Sequence, residues 1–236
     1  MFVSNVSLKP TTMKNKLILF VFCTSLIASI SCKKDSTGNA ETKDAVKTKE
    51  ATAEAKKYIV DTGSSTINWV GSKPTGKHTG TINLSEGAFY VAGDSVESGK
   101  FTIDMKSIAV TDLKAGDGKE DLENHLKGLG KDDSADHFFN TNKFPTGTFQ
   151  ITSITHTMGK TMVEGNLTLK DITKSVKFPA VITVSESTVT LESESFKINR
   201  TLWGVNYSSK SVFDNLGDKY VDDDIEIKVK VKADKI

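Results

Sequence analysis

The residues of this chain that could perform chemistry are its four histidines and two cysteines. His78, His125, His137 and His156 are not arranged as His-x-His, His-x-x-x-His or His-Glu-x-x-His, the spacings that place two imidazoles on one zinc ion. The sequence also contains no Gly-x-Ser-x-Gly elbow, no P-loop and no Gly-x-Gly-x-x-Gly fingerprint. The pattern therefore predicts no catalytic residue, no metal site and no cofactor.

His137 stands in the most unusual segment, Asp136–Phe149 (DHFFNTNKFPTGTF), which places four phenylalanines among loop residues. As a general base, His137 would need a partner that the sequence does not show. As a structural or ligand-contacting residue it needs only a hydrogen-bond acceptor, and Asp136 is adjacent. We favour this second interpretation.

Two charged residues interrupt apolar strand patterns. Asp104 lies within Phe101–Met105, and Arg200 follows Phe196–Asn199 where a strand meets a turn. A strand-end hydrogen bond and a surface ion pair are their ordinary roles. The alternative is an inward-facing Arg200 that pairs with Asp104 or with the head group of a ligand.

The first 31 residues have the layout of an export signal. Lys14 and Lys16 precede the apolar run Leu17–Ile30, which is too short to span a bilayer. Met13 places these lysines directly ahead of the run and is a better start than Met1. The Cys32 that follows resembles the acylated cysteine of a bacterial lipobox; an ordinary secretory signal beside an unmodified cysteine is the alternative.

Acylation of Cys32 would attach the chain to a membrane. If Cys23 leaves with the signal, no thiol then remains for a disulfide, a zinc site or a nucleophile. Residues 33–57 contain seven lysines, five acidic residues and no aromatic residue, a composition that predicts a flexible tether. We therefore divide the chain into a signal (1–31), a lipidated cysteine with its tether (32–57) and a folded domain (58–236).

The predicted domain is mildly acidic. Its 179 residues carry 21 Lys and Arg against 25 Asp and Glu, a net charge of −4. Without a basic stripe, this balance argues against a nucleic-acid partner.

Alternation of apolar and polar residues dominates the domain and predicts at least eight strands. Examples are 66–69, 81–84, 101–105, 149–151, 163–169, 196–198 and 224–232. An antiparallel sheet with one apolar face becomes a sandwich or a closed barrel, and alternation alone does not choose between them.

One helix is predicted over residues 117–129. Asp117 and Glu120 resemble a capping box, and Leu122, Leu126 and Leu129 share a narrow apolar face. We expect this helix to lie against the sheet.

A set of short segments recurs in a characteristic order and spacing: Tyr58–Asp61, Ser65–Trp69, His78–Gly80, Gly99–Met105, Leu122–Leu126, Asp136–Phe139, Lys143–Pro145, Phe149, Val163–Leu169, Thr173, Pro179, Asn199–Arg200 and Trp203–Gly204. Together these segments resemble the YceI-like family of polyisoprenoid-binding, lipocalin-like periplasmic proteins over residues 58–236. The sequence departs from the family pattern at Ser64, Asp171 and Asn199, and residues 128–135 are longer than the usual link.

The resemblance implies an all-β fold, an eight-stranded antiparallel lipocalin-like barrel with one short helix packed against it. It also implies a cell-envelope protein that binds or carries an isoprenoid-like or other long-chain amphiphile and is not an enzyme. The ligand-binding residues implied are His78, Asp104, His137, Phe138, Phe139, Arg200 and Trp203.

Two alternatives remain open. One is an enzyme in which His78, His137 and Arg200 converge on a lipid head group, and the other is a structural or stress-response envelope protein with a filled barrel. The sequence also leaves a homodimer open.

Overall fold

The computed structural model describes residues 1–2, 38–130, 135–157 and 159–236, so the predicted signal and Cys32 lie outside the described residues. The strands are β1 (Gly38–Asn39), β2 (Glu41–Asp44), β3 (Lys56–Val60), β4 (Thr66–Lys73), β5 (Gly76–Ala92), β6 (Ser95–Val110), β7 (Thr146–Thr157), β8 (Lys160–Leu169), β9 (Ile172–Val184), β10 (Thr188–Ser193), β11 (Phe196–Asn199) and β12 (Asp224–Lys235). Helix α1 covers Lys119–Lys127, and short 3-10 helices cover Arg200–Trp203 and Gly217–Lys219.

Eight strands form a closed ring, in the order β4, β5, β6, β7, β8, β9, β10 and β12, with β12 pairing back to β4. The predicted barrel is therefore confirmed, and the sandwich is excluded. All eight pairs of the ring are antiparallel, as predicted. The sheet as a whole is mixed, because outside the ring Gly38–Asn39 runs parallel to Phe196–Lys197.

One end of the barrel is filled by side chains. Phe89, Val91, Val163 and Val189 are buried there, and Phe89 packs edge-to-face on Phe101 with ring centroids 4.9 Å apart. Strand β3 covers the same end by pairing with β5 and with the last residues of β12. We call this the closed end.

The opposite end, which we call the open end, is covered by α1, by residues 135–145 and by the loop between Arg200 and β12. Helix α1 begins after Gly118, whose left-handed φ of 86° suits glycine, and no side chain caps it. The predicted Asp117 capping box is therefore wrong, because Glu120 instead accepts a hydrogen bond from the Gly116 N–H at 3.1 Å. Glu123 binds the Val110 N–H at 2.8 Å, which fixes the helix on the end of β6.

Residues 38–44 differ from the expected flexible tether, because they form the two short strands β1 and β2 along the barrel wall. β1 pairs with β11, whereas β2 pairs antiparallel with Lys174–Lys177 of β9. In the described chain β9 and β11 do not pair with each other, so residues 38–44 bridge these two strands. We call residues 38–44 the strap. Its polar composition does not prevent strand formation, because backbone hydrogen bonds to the edges of β9 and β11 hold it in place.

Residues 36–236 form one compact unit that contains the hydrophobic core. A unit with its own core has what independent folding requires. None of the helices in the described residues combines the length and apolar character needed to cross a membrane.

Candidate functional site

A cavity of about 440 Å³ occupies the open half of the barrel. Alternation turns every second residue of the surrounding strands inward, which gives it an apolar wall. The wall includes Ile67, Ile82, Leu84, Ile103, Met105, Leu167, Leu169, Ile198, Ile227 and Val229. From α1, Leu122 and Leu126 cover the cavity from above.

Aromatic side chains supply much of the remaining wall. Of the predicted ligand-binding residues, Phe138, Phe139 and Trp203 line the cavity. The Trp203 indole is fixed because its Nε1–H donates to the Leu167 carbonyl at 3.0 Å. Within the segment Asp136–Phe149, Phe149 also lines the cavity, whereas Phe144 does not.

The polar groups of the cavity are concentrated at the open end. The mouth is bordered by Ser72, Lys73 and His78 at the β4–β5 turn, and by Tyr207, Ser208, Lys219 and Asp222 of the loop before β12. The two sides are joined where the Asp222 N–H donates to the Ser72 carbonyl at 2.9 Å. An amphiphile would therefore meet apolar surface along its tail and polar groups at its head.

His78 lies at this mouth and is oriented by Asp112. Its Nδ1 is 2.9 Å from Asp112 Oδ2, and the other carboxylate oxygen accepts the Thr79 N–H at 2.9 Å. Burial opposes ionisation of Asp112, but these hydrogen bonds from Thr79 and His78 hold its pKa below the ordinary value. The arrangement leaves His78 Nε2 available to a ligand.

His137 does not line the cavity but touches a histidine that does. His137 Nδ1 lies 2.9 Å from His125 Nε2, and both rings pack against Tyr207 with centroid distances of 4.4 and 4.7 Å. Burial, followed by the proximity of His137, lowers the pKa of His125. Asp136, the expected partner of His137, instead accepts a hydrogen bond from Asn140 at 2.8 Å.

His125 is thus a cavity residue that the sequence interpretation missed. The signal was present, because His125 falls between Leu122 and Leu126 on the helix face predicted to be apolar. Tyr207 had no comparable signal, since it lies in an irregular loop.

Arg200 faces inward, but four of the five N–H donors of its guanidinium are occupied. Its guanidinium donates to the carbonyls of Val205 (2.6 Å), Tyr207 (2.8 Å), Asp222 (3.0 Å) and Val221 (3.0 Å). Its carboxylate neighbour is Asp223 at 3.8 Å, so the pairing with Asp104 considered from the sequence is wrong. Arg200 borders the cavity mainly as the clamp that holds the 205–223 loop.

Asp104 lies away from the cavity, on the pairing between β5, β6 and β7. Its Oδ1 accepts the Lys106 N–H at 3.0 Å, which is an ordinary role within a strand. A ligand contact by Asp104 is therefore not supported by its position. Within the described ranges, no group of three or more His, Cys, Asp or Glu side chains is arranged to hold a metal ion.

Comparisons with known proteins agree with this architecture. The model of the YceI-like domain family matches residues 58–233. A polyisoprenoid binding domain from Saccharophagus degradans superposes with a TM-score of 0.55 at 13% identity, over 76% of this chain and 98% of that one. BcnA from Burkholderia cenocepacia gives a TM-score of 0.49 at 23% identity, over 74% and 99% of the two chains. No curated protein sequence matches the chain.

Proposed function

Since the chain belongs to the YceI-like domain family, we propose that it is a lipoprotein of the bacterial cell envelope that binds an isoprenoid-like or other long-chain amphiphile in its barrel. The observation that carries this proposal is the apolar cavity with polar groups gathered at one end. The name of the structural relative from Saccharophagus degradans, a polyisoprenoid binding domain, agrees with it.

The size of the cavity favours a ligand over a filled barrel. Small-molecule pockets start at roughly 300 Å³, and this cavity has about 440 Å³. Its wall is built from aliphatic and aromatic side chains, which favour the transfer of a hydrocarbon tail from water. A purely structural barrel would have no need of this space.

The geometry at the mouth favours binding over catalysis. Arg200 donates four hydrogen bonds to backbone carbonyls. His137 does not line the cavity and contacts His125, which does. The three residues considered as a catalytic set therefore do not present free groups to one point. In our proposal His78 and His125 instead hold a head group by hydrogen bonds.

The ligand can be identified directly. Protein purified without detergent stripping is measured by native mass spectrometry and then extracted with organic solvent. We expect an adduct that disappears after extraction and a long-chain amphiphile in the extract. Repeated recovery of the bare polypeptide mass would contradict the proposal.

Membrane attachment requires a separate test at Cys32. We expect Cys32→Ala to abolish incorporation of labelled palmitate and to release the protein from the membrane fraction. The matched control is Cys23→Ala, which should leave both unchanged because Cys23 belongs to the predicted signal. Labelling that persists in Cys32→Ala would refute this anchor.

A further inference from the structure

Two histidines form a hydrogen-bonded pair in the structure that covers the open end. His125 lies on α1 and lines the cavity, and its Nε2 is 2.9 Å from Nδ1 of His137, in the segment that follows α1. We propose that this pair, which we call the latch, is sensitive to acid. When both imidazoles are protonated their contact breaks, α1 loosens over the cavity, and a ligand held at neutral pH is released.

The contact between the two rings limits how many protons the latch can hold. A hydrogen bond between imidazoles needs an N–H on one ring and a lone pair on the other. The bond survives one added proton, because that proton can sit on a nitrogen that faces away. A second added proton puts an N–H on both facing nitrogens, which are 2.9 Å apart, and replaces the bond by repulsion between like charges. A doubly protonated pair therefore cannot keep the latch closed.

Two cations near the latch oppose its protonation. The Phe138 ring packs edge-to-face on His125, and the Arg200 Cζ lies 5.8 Å from the centroid of that ring. From the turn between β8 and β9, Lys170 Nζ donates to the Phe138 carbonyl at 2.9 Å. An added charge on His125 therefore forms in a partly buried place that already holds positive charge.

The carboxylates of the neighbouring elements are engaged elsewhere. Asp136, adjacent to His137 in the chain, accepts a hydrogen bond from Asn140 at 2.8 Å. On α1, Glu123 accepts a backbone hydrogen bond from the end of β6 at 2.8 Å. In the loop before β12, Asp222 and Lys219 border the cavity with opposite charges. None of these described carboxylates makes a hydrogen bond to either imidazole of the latch.

Tyr207 connects the latch to the loop that borders the mouth. Its ring packs on both imidazoles, and its N–H donates to the His137 carbonyl at 3.3 Å. The loop is fixed in turn by Arg200, which donates to the Tyr207 carbonyl at 2.8 Å. An aromatic ring can favour one imidazolium, but it does not separate two N–H groups that point at each other. The latch therefore closes α1 against a fixed part of the mouth.

Helix α1 is otherwise held at its two ends. None of its residues is fully buried. Its last turn accepts two backbone hydrogen bonds, from Phe139 to Leu126 at 3.2 Å and from Thr141 to Lys127 at 2.7 Å, while Glu123 holds the helix on β6. Breaking the latch therefore loosens the part of α1 above the cavity and leaves the helix attached.

The direction of the pH effect follows from proton linkage. Burial, followed by the proximity of His137, lowers the pKa of His125 from the ordinary 6.5 in the closed state. Exposure to water on opening raises this pKa again, so the open state binds the proton more readily. Opening is therefore absent well above pH 6.5 and becomes more favourable as the pH falls below it. Release of a ligand by this opening rests on the proposed function.

The first test measures release of a probe from residues 36–236, the compact unit. An isoprenoid alcohol with a fluorophore that does not titrate is loaded, and the complex is diluted into excess unlabelled alcohol. We expect release to be about tenfold faster at about pH 5 than at about pH 7.5. His137→Gln keeps a hydrogen-bonding partner that gains no proton and should reduce this rise to less than about twofold. The matched control is His156→Gln, since His156 is exposed near the closed end of β7 and should not affect the rise.

The second test follows α1 without any ligand. The unit contains no native cysteine, so spin labels can be placed at Asp121→Cys on α1 and at Thr75→Cys in the β4–β5 turn, both exposed positions. Pulsed electron resonance measures the distance between the labels in samples frozen at the two pH values. We expect a longer and broader distribution in acid, and no such change when His137→Gln is added.

The two tests separate the latch from the proposed function. Label distances that ignore pH, or the same acid response in His137→Gln, would overturn the latch. A release rate that does not rise in acid, or a rise that His137→Gln retains, would also overturn it and place any titration elsewhere, as at His78. If the label distances respond to acid as expected but the protein binds no probe at neutral pH, the latch stands and the proposed function fails.

Discussion

At the scale of single residues, Arg200 has the largest structural role in the site. It is 2% exposed, and its guanidinium joins the end of β11 to four backbone carbonyls of the loop that borders the mouth. Hydrogen bonds from a charged donor contribute more than neutral ones, and buried carbonyls left unpaired are costly. The clamp therefore explains how a long irregular loop keeps one shape over a cavity.

We expect Arg200→Lys to lower the free energy of unfolding by about 2–4 kcal/mol, because an ammonium keeps the charge but cannot reach four carbonyls. Urea denaturation followed by circular dichroism measures the change. The control is Lys210→Met, which removes a cation lying 4.4 Å from the Tyr220 ring centroid and should cost less than about 1 kcal/mol. Equal losses in the two variants would show that Arg200 acts as an ordinary surface cation.

His125 makes stability depend on pH. Burial and the neighbouring His137 lower its pKa from the ordinary 6.5, so the folded state binds its proton less readily than the unfolded state. The contribution of His125 is therefore fully present above pH 6.5 and is lost as the pH falls through the lower folded pKa. Urea midpoints should fall with decreasing pH in this window, and His125→Phe should flatten the slope; an unchanged slope in that variant would exclude His125 as its source.

At the level of single residues, the family resemblance rather than periodicity pointed to the cavity, since Phe138 and Phe139 lie in an irregular segment and Trp203 lies in a short 3-10 helix. These three residues line the cavity and His78 lies at its mouth, while their contact with a ligand stays a prediction. Asp223, the carboxylate beside Arg200, follows it by 23 residues through an irregular loop, so no spacing rule could have paired them. Tyr207 could not be predicted as a cavity residue for the same reason, because it lies in the same irregular loop.

At the scale of elements, the strap is the part of the fold that could not be predicted from amino-acid composition. The sequence of residues 38–44 contains no large apolar residue, so an estimate of burial predicts disorder. The strap is held instead by backbone pairing to β9 and β11, by the Ala40 N–H bond to the Lys197 carbonyl at 2.8 Å, and by packing of Ala40 on the core. Long-range edge pairing of this kind leaves no local signal in a sequence.

Removal of the strap should loosen the barrel wall at one place. We expect a chain that begins at Ala45 to show faster amide hydrogen exchange in Ile172–Phe178 and Phe196–Asn199, because these strand edges lose their partner. Peptides from the β6–β7 ladder serve as the internal control and should keep their protection. Unchanged exchange at both strand edges would mean that the strap contributes nothing to closing the wall.

At the scale of the whole molecule, alternation in the sequence determined which side chains face inward, but not how completely they fill the interior. The inward-facing positions of Leu84, Ile103 and Val231 in the alternating pattern would be the same in a barrel filled by side chains and in a barrel that contains a cavity. The space arises because the bulky residues Phe89, Val91 and Val163 pack the closed end, while α1 only covers the open one. Closure into a barrel was predictable from the family resemblance and not from the alternation itself.

The depth of the cavity should set the length of the ligand. Ile82 lines the wall at the level of Ile67, midway between the mouth and the closed end. We expect Ile82→Trp to occupy empty space there, so that stability changes little while the longest tails lose their deepest contacts. Excluding about two methylenes costs roughly 1.6 kcal/mol, or about tenfold in affinity. Competition binding with isoprenoid alcohols of increasing length measures this, and Thr81→Trp, one residue away on the outer face, is the control. A loss of affinity that is equal for short and long alcohols, or equal in the two variants, would contradict a tail that lies along the barrel axis.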